Sequence, residues 1–213
     1  MDEFDLEKKM LESLEGRIGR ERLNLLRNSS VAICGLGGLG SNVAIALARA
    51  GVGRLHIIDF DRVDISNLNR QQYFVKQLGM PKTDALEDNL KEIFPFIEIK
   101  KDFVKIDENN IPTLLKDDDI ICEAFDNPDA KATLVGSVLK LFPEKYIVSG
   151  SGMAGFGSTN LIKTERRLSK LYICGDGFSD IDDGIGLVSS RVLAAAAHEA
   201  NMIIRLIIGE EQP

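Results

Sequence analysis

A glycine-rich turn between an apolar run and an alanine-rich segment constrains this chain more than any other feature. The apolar run Val31 to Cys34 precedes the turn, and the segment after it has helical spacing and ends at Gly51. A second apolar run, Leu55 to Ile58, then stops at Asp59. The order strand, glycine turn, helix, strand, acid is typical of the unit with which parallel sheets bind a nucleotide.

Each residue type in this unit has a physical role that a nucleotide would require. Gly35 and Gly37 allow a tight turn and let the backbone approach a phosphate, while Gly40 lets the helix lie close to the strand. The first N–H groups of the helix attract an anion. Asp59 lies about 20 residues beyond the turn, where a carboxylate accepts hydrogen bonds from ribose hydroxyls. A plain turn followed by a strand cap is the alternative, because a glycine pattern alone is weak.

The size and charge of the chain exclude several classes of protein. Its 213 residues, 44% of them hydrophobic, suffice for one core and are few for two, so we expect one domain. The formal net charge of -7 gives no electrostatic footprint for nucleic acid or an anionic membrane. The charged amino terminus lacks the apolar core of a signal peptide. We therefore expect a cytoplasmic protein that binds neither nucleic acid nor a membrane.

The cysteines and histidines offer little catalytic chemistry. The three cysteines form no Cys-x-x-Cys pair, so we expect neither a disulfide framework nor a zinc site. Cys34 and Cys122 lie in predicted strands and should be buried. Cys174 follows a predicted strand and is the thiol we expect to be exposed, although acidic neighbours would raise its pKa and favour a structural role. His56 and His198 are predicted to be packing residues, since no catalytic pattern surrounds them.

Apolar runs alternate with helical segments as far as residue 150, which predicts a doubly wound, mostly parallel Rossmann-like α/β sheet. The predicted strands of this part are 31–34, 55–58, 97–104, 119–125 and 145–149. The predicted helices are one or two over 6–28, then one ending at 51, and 81–94, 111–115, 128–141 and 187–208. Beyond 150, antiparallel strands at 159–163 and 168–173, a polar turn at 164–167 and a mobile acidic loop at 176–186 are predicted. We expect one domain over 1–213, with a helical segment at 1–28, an alternating part at 31–150 and a glycine-rich crossover part at 151–213.

Polar residues gather at the predicted carboxyl edge of this sheet, where open parallel sheets bind ligands. They are Asp61, Asn67, Arg70, Gln71, Lys82, Asp126 and Asn127. Lys82 occupies the first turn of a predicted helix, where a cation is unfavourable unless it meets an anion. Ordinary solvated side chains are the alternative for each of these residues taken singly.

These motifs, taken together and in order, resemble the ThiF/MoeB/HesA family, the bacterial relatives of ubiquitin-activating enzymes. The motifs are the glycine turn 35–40, Asp59-Phe60-Asp61, Ser66-Asn67-Leu68-Asn69-Arg70-Gln71, Lys82 and Asp126-Asn127. The resemblance runs from about residue 17 to 209 and is strongest to the short ThiF-like members linked to thiamine biosynthesis. Five ordered motifs are far more specific than the glycine turn alone.

The resemblance implies a sulfur carrier adenylyltransferase that uses ATP and Mg²⁺. The nucleotide-binding set that it implies is Gly35, Gly37, Gly38, Gly40, Asp59, Asp61, Asn67, Arg70, Gln71, Lys82, Asp126 and Asn127. Within this set Asp59 would bind the ribose, and Arg70 and Lys82 would hold the phosphates with Asn67 and Gln71. Asp126 would bind Mg²⁺ or approach the α-phosphate. The absent Cys-x-x-Cys pairs depart from many members, and we expect no structural zinc.

The substrate that the resemblance implies is a ThiS-like, ubiquitin-fold sulfur carrier with a Gly-Gly tail. Its terminal carboxylate would attack ATP to give an acyl-adenylate and pyrophosphate, a reaction that needs fixed cations because two anions meet. Arg20 matches an arginine that family dimers donate to the neighbouring subunit, with Arg17 as its rival, so a homodimer is also implied. Two alternatives stay open: an NAD-dependent oxidoreductase, which the first motif alone would indicate, and a non-catalytic scaffold of the same fold.

Overall fold

The computed structural model describes residues 2–180, 184 and 186–213, and it is built around one sheet. The strands are β1 Ser30–Cys34, β2 Arg54–Ile58, β3 Glu98–Asp102, β4 Ile120–Glu123, β5 Tyr146–Gly150, β6 Lys163–Leu168 and β7 Leu171–Gly175. Their order across the seven-stranded sheet is β3-β2-β1-β4-β5-β7-β6. Every neighbouring pair is parallel except β6 with β7. The predicted doubly wound sheet with an antiparallel addition is confirmed.

Helices cover both faces of this sheet. They are α1 Glu3–Ile18, α2 Arg20–Arg27, α3 Gly38–Ala50, α4 Lys82–Ile93, α5 Ile111–Leu114, α6 Pro128–Leu141 and α7 Ser189–Ile207. Alternate residues of β1 enter different cores, since Val31 and Ile33 pack with α3 and α7, and Ala32 and Cys34 pack with α6. A strand buried on both faces needs a continuous apolar run. Among the described residues, no helix combines the length and the apolar character needed to span a bilayer.

The region after β5 differs from the prediction in detail. The polar residues 164–167, predicted to form a turn, belong to β6, and residues 159–161 form a 3-10 turn instead of a strand. The physical reason is that β6 lies at one edge of the sheet, where most of its side chains are exposed. Glu165 forms ion pairs with Lys163 at 3.0 Å and Arg167 at 2.6 Å along that edge. Polarity there marks an exposed edge and not a break in the strand.

The loop predicted at 176–186 lies partly outside the described residues, at 181–183 and 185. Its described start is held firmly, because the buried side chain of Asp176 pairs with Arg191 of α7. The Arg191 guanidinium also donates to the carbonyl oxygens of Ala154, at 3.1 Å, and Ser158, at 2.8 Å. This ion pair therefore fastens the glycine-rich segment after β5 to the beginning of α7.

His56 is not the simple packing residue that the sequence predicted. Its Nδ1 lies 2.8 Å from Asp118 Oδ2 and its Nε2 lies 2.8 Å from Asp102 Oδ2, and the ring is fully buried. The side chain therefore joins β2 to the end of β3 and to the residues before β4. The carboxylates were missed because they are 46 and 62 residues away in the chain.

The contact between the glycine turn and α3 leaves no room for a side chain. A Cβ atom at Gly40 would lie 1.9 Å from the carbonyl oxygen of Gly35. Gly35 itself has a φ of 93°, and a Cβ there would lie 2.9 Å from the Ala124 carbonyl oxygen. Glycine at both positions lets α3 begin directly against β1 and β4, which is how the turn comes to face the carboxyl edge.

We expect Gly40→Ala to destabilise the protein by about 2 kcal/mol or more, because backbone atoms would have to move. The matched control is Gly136→Ala in α6, where a Cβ would meet nothing within 4 Å. That control should stabilise the protein by roughly 0.5–1 kcal/mol through helix propensity. Chemical denaturation measures both free energies of unfolding. Equal effects of the two substitutions would contradict the steric account.

Candidate active site

The side chain of Asp59 joins the glycine turn to the segment after β2. Its Oδ2 accepts a hydrogen bond from the Leu36 N–H at 2.7 Å, and its Oδ1 accepts one from the Asp61 N–H at 2.8 Å. The residue is only 8% exposed. Each carboxylate oxygen can accept a further bond. Asp59 is therefore fixed at the turn and keeps the capacity to accept bonds from a diol.

Lys82, at the start of α4, is buried beside the carboxylates of Asp59 and Asp61. Its Nζ lies 3.0 Å from Asp61 Oδ2 and 3.9 Å from Asp59 Oδ2, and the residue is 5% exposed. The exposed-lysine alternative is therefore wrong. The two carboxylates offset the unfavourable position of a cation at the positive end of a helix. Lys82 is a buried cation that can exchange a carboxylate partner for an anionic ligand.

Arg70 and Gln71 lie over the first turn of α3. A Cβ at Gly38 would lie 3.4 Å from the Arg70 Cγ, and the Arg70 guanidinium donates to Ser66 O at 3.0 Å. Gln71 is 7% exposed, its side-chain Oε1 has no hydrogen-bond partner, and its Nε2 faces Gly37. An unpaired buried amide oxygen is costly. The Gln71 amide lies beside Gly37, so it is a polar group placed at the glycine turn.

Two residues that the sequence did not indicate connect the segment carrying Arg70 and Gln71 to the glycine turn and to α3. The Tyr73 hydroxyl donates to Leu36 O at 2.8 Å, and the Asn42 side chain donates to the carbonyl oxygens of Gly38, at 2.6 Å, and Arg70, at 3.1 Å. Burial and the nearby acidic groups raise the pKa of Tyr73 well above its usual value, so the phenol stays a donor. A tyrosine within a polar stretch was the only signal in the sequence.

The remaining polar residues of the predicted set have structural tasks of their own. Asn67 accepts a hydrogen bond from the Asp64 N–H at 3.3 Å, and Asn127 caps α6 by accepting one from Ala130 N at 2.9 Å. Asp126, next to that cap, is exposed. A nucleotide contact for these three residues stays a prediction.

The carboxylates at this edge suit a metal ion only if a bound nucleotide and water supply most of the metal's ligands. Within the described ranges, no group of three or more His, Cys, Asp or Glu side chains is arranged to hold a metal. Mg²⁺ commonly keeps water ligands and takes one or two carboxylates together with substrate phosphates. Asp126 and Asp61, at the carboxyl edge, are carboxylates of this kind, so the residues fit a magnesium ion that arrives with a nucleotide.

Arg20 does not reach this site within one chain. It begins α2, and its Nε bonds to Glu15 Oε1 at 2.8 Å on the surface. Side chains of α1 and α2 contact Gly51, at the end of α3 opposite the glycine turn. Thirteen helical residues separate the two ends by roughly 20 Å. A role for Arg20, or its rival Arg17, therefore requires a neighbouring subunit and stays a prediction.

Cys174 is buried, so the expectation of an exposed thiol was wrong. It lies in β7 under α7, with its Sγ 3.4 Å from the Thr164 hydroxyl, and burial followed by nearby Glu199 raises its pKa. Cys34 and Cys122 are buried, as predicted. No cysteine thiol is accessible for nucleophilic chemistry in the part of the chain that the structure describes.

Glu199 of α7 is a buried acid behind the site. It has no exposed surface, its Oε1 lacks a partner, and Cys122 Sγ donates to its Oε2 at 3.8 Å. Burial raises the pKa of this carboxyl well above its ordinary value of 4.5. Folding therefore favours the neutral form of Glu199.

This burial predicts a pH-dependent stability. As the pH rises above about 4.5 the unfolded chain releases the Glu199 proton while the folded chain keeps it, so stability falls. Glu199→Gln removes that contribution, and its stability relative to wild type should grow with pH by up to about 1.4 kcal/mol per unit. Urea denaturation at several values between pH 5 and 8 measures the difference. A difference that stays constant with pH would show that Glu199 ionises alike in both states.

Together these features define a Rossmann-like α/β protein with cations and carboxylates at its carboxyl edge. Residues 12–212 match the model of the ThiF family, and the chain belongs to that family.

Several curated relatives match part of the chain. The tRNA threonylcarbamoyladenosine dehydratase of Bacillus subtilis is 47% identical over 83 residues, which are 38% of this chain and 33% of the relative. The adenylyltransferase and sulfurtransferase UBA4 of Scheffersomyces stipitis is 36% identical over 138 residues, or 64% of this chain and 31% of the relative. The sulfur carrier protein adenylyltransferase of Thermus thermophilus is 30% identical over 138 residues, or 64% and 46%. The chain therefore spans a third to a half of the length of these relatives.

Solved structures share the fold. The Escherichia coli tRNA N6-threonylcarbamoyladenosine dehydratase TcdA superposes with a TM-score of 0.86 at 17% identity, over 96% of both chains. A complex of that protein with ATP gives a TM-score of 0.85 at 18% identity, over 94% of both chains. At these identities the similarity establishes the architecture.

Proposed function

We propose that this chain catalyses the ATP-dependent adenylation of the C-terminal glycine of a ThiS-like, ubiquitin-fold sulfur carrier, in thiamine thiazole biosynthesis. The observation that carries the proposal is the convergence of the glycine turn, Asp59 and the buried Lys82 at one edge, with the Gln71 amide beside them. Such a site binds a nucleotide polyphosphate, because it combines helix N–H groups, a diol acceptor and fixed cations.

The reaction needs charge stabilisation more than it needs a nucleophile. ATP supplies the adenylyl group: the carrier carboxylate oxygen bonds to the α-phosphorus while the bond to pyrophosphate breaks. In this proposal Asp59 holds the ribose, and the N–H groups at the start of α3 face the phosphates. Lys82 and Arg70 neutralise the charge that develops as the two anions meet. Asp126 would coordinate the Mg²⁺ that accompanies the nucleotide. The burial of all three cysteine thiols agrees with a reaction at the carrier carboxylate without a protein thioester.

Relatives support a protein carrier as the substrate. The Thermus thermophilus relative is named a sulfur carrier protein adenylyltransferase, and the Scheffersomyces stipitis relative is named an adenylyltransferase and sulfurtransferase. The glycine-dense segment 150–157 would let a slender Gly-Gly tail lie against the backbone. We also propose a homodimer. Arg20 lies far from the site of its own chain, so it could reach only the site of a neighbouring subunit.

A second candidate substrate is a carboxylate carried by a modified tRNA nucleoside. The 47% identity with a relative named a tRNA threonylcarbamoyladenosine dehydratase favours it. Dehydration of a carboxylic acid is helped by adenylation, because AMP then carries away the oxygen. The net charge of -7 argues against tRNA, since phosphate contacts dominate nucleic-acid affinity.

Exchange of labelled pyrophosphate into ATP tests the proposal. The reaction contains Mg²⁺ and either a ThiS-like carrier with an intact Gly-Gly end, the same carrier with its tail removed, or tRNA bearing threonylcarbamoyladenosine. We expect exchange with the intact carrier alone. Exchange with tRNA alone would establish the second candidate, and binding of NAD but not ATP would indicate the oxidoreductase. Failure to bind Mg-ATP at all would favour a non-catalytic scaffold.

Two cation variants should lose this exchange. Arg70→Ala and Lys82→Met remove the charges that would stabilise the transition state, and each should lower the exchange rate about 100-fold or more. Lys82→Met retains the aliphatic stem, so the fold should persist, as a thermal melt can verify. The control is Lys76→Ala, which removes an exposed lysine from the segment between β2 and α4. Near-normal exchange by either folded variant would refute the role of that residue.

A further inference from the structure

A largely buried ion pair lies directly behind the loop between β4 and α6. Glu123, the last residue of β4, is fully buried, and Lys131 lies near the start of α6. Lys131 Nζ pairs with Glu123 Oε2 and also donates to Gly150 O at 2.8 Å and Ser149 Oγ at 3.4 Å. The pair therefore ties the ends of two neighbouring strands to the helix that follows the loop.

The other oxygen of Glu123 fixes the loop itself. Glu123 Oε1 accepts a hydrogen bond from the Phe125 N–H at 2.8 Å. Ala124 N–H donates to Cys34 O at 2.9 Å, and Asn127 caps α6. The backbone on both sides of Asp126 is thereby held. The Asp126 side chain is exposed and takes part in no hydrogen bond or ion pair within the described part of the chain.

A buried ion pair is a poor device for stability alone. Desolvation of two charges offsets most of their attraction, and apolar side chains of similar volume would stabilise a core as well. This pair instead controls a backbone N–H next to a free carboxylate at the carboxyl edge of the sheet. The Lys131 ammonium has three N–H donors, and they face Glu123, Ser149 and Gly150. None is left for a phosphate.

We propose that Lys131 and Glu123 are positioning residues that hold Asp126 where it binds the Mg²⁺ of Mg-ATP, an inference that rests on the proposed nucleotide site. They act through the Phe125 N–H and do not touch the nucleotide. Groups that orient a metal ligand affect metal affinity about 10-fold to 100-fold when they are removed. The pair should therefore control the gain in ATP affinity that Mg²⁺ provides, and leave the affinity for metal-free ATP unchanged.

The test compares the dissociation constant of ATP in EDTA with that in saturating Mg²⁺, by calorimetry and without a carrier. Lys131→Met leaves Glu123 without its cation, and the Mg²⁺-dependent gain should fall about 10-fold, as it should in Asp126→Ala. For Lys131→Met, affinity in EDTA should stay within about twofold of wild type, because neither Lys131 nor Glu123 touches the nucleotide. Lys140→Met, at an exposed position of the same helix, is the control and should keep the full gain.

Two double variants separate positioning from charge and do not leave a buried carboxylate unpaired. The double variant Glu123→Gln with Lys131→Met keeps an oxygen for the Phe125 N–H. It should therefore retain the gain in ATP affinity that Mg²⁺ provides. Glu123→Met with Lys131→Met has a similar volume but no acceptor, and should lose it. Equal gains in these two folded proteins, or a full gain in Lys131→Met, would overturn the inference while leaving the nucleotide site intact. A wild-type chain that binds no ATP in either buffer would instead refute the proposed function, and the inference with it.

Discussion

The carboxylate of Asp59 is the interaction on which the candidate site depends. One oxygen holds the Leu36 N–H of the glycine turn, the other holds the Asp61 N–H of the next segment, and Lys82 lies beside both acids. Asp59 thus ties the turn after β1 to the segment after β2, and the Tyr73 hydroxyl, which donates to Leu36 O, supports the same connection. Because the acid is buried and hydrogen-bonded to fixed backbone, it arranges the site before any ligand arrives, which is what catalysis by charge stabilisation requires.

A parallel sheet makes this arrangement available. The carboxyl ends of β1, β2 and β4 meet at one edge, so residues 35, 59 and 126 come together although they are far apart in sequence. Glycine at positions 35 and 40 then lets α3 start directly against the turn. The cost is a dense set of buried polar groups, and one of them beside the glycine turn, Gln71 Oε1, has no hydrogen-bond partner within the protein.

Local patterns in the sequence were enough to predict the alternating strands and helices, because the central strands β1, β2, β4 and β5 are buried and largely apolar. They failed at β6, where an edge strand carries polar side chains and resembles a turn. They failed at Cys174, since its burial depends on α7 packing over β7, a contact that no local pattern reveals. The glycine turn, Asp59 and the polar edge were predictable from spacing. The partners of Lys82 and His56, and the Glu123 and Lys131 pair, were not, because each joins separate elements through side-chain geometry.

The most direct test of the candidate nucleotide site is a crystal structure of the chain with a non-hydrolysable ATP analogue and Mg²⁺. We expect the phosphates at the turn formed by residues 35–40, the ribose hydroxyls on Asp59, and the Lys82 ammonium bonded to a phosphate oxygen in place of Asp61. A nucleotide bound elsewhere would contradict this placement. One such place is the groove of about 580 Å³ at the amino edge of the sheet, which Lys116, Lys145 and Leu206 help to line.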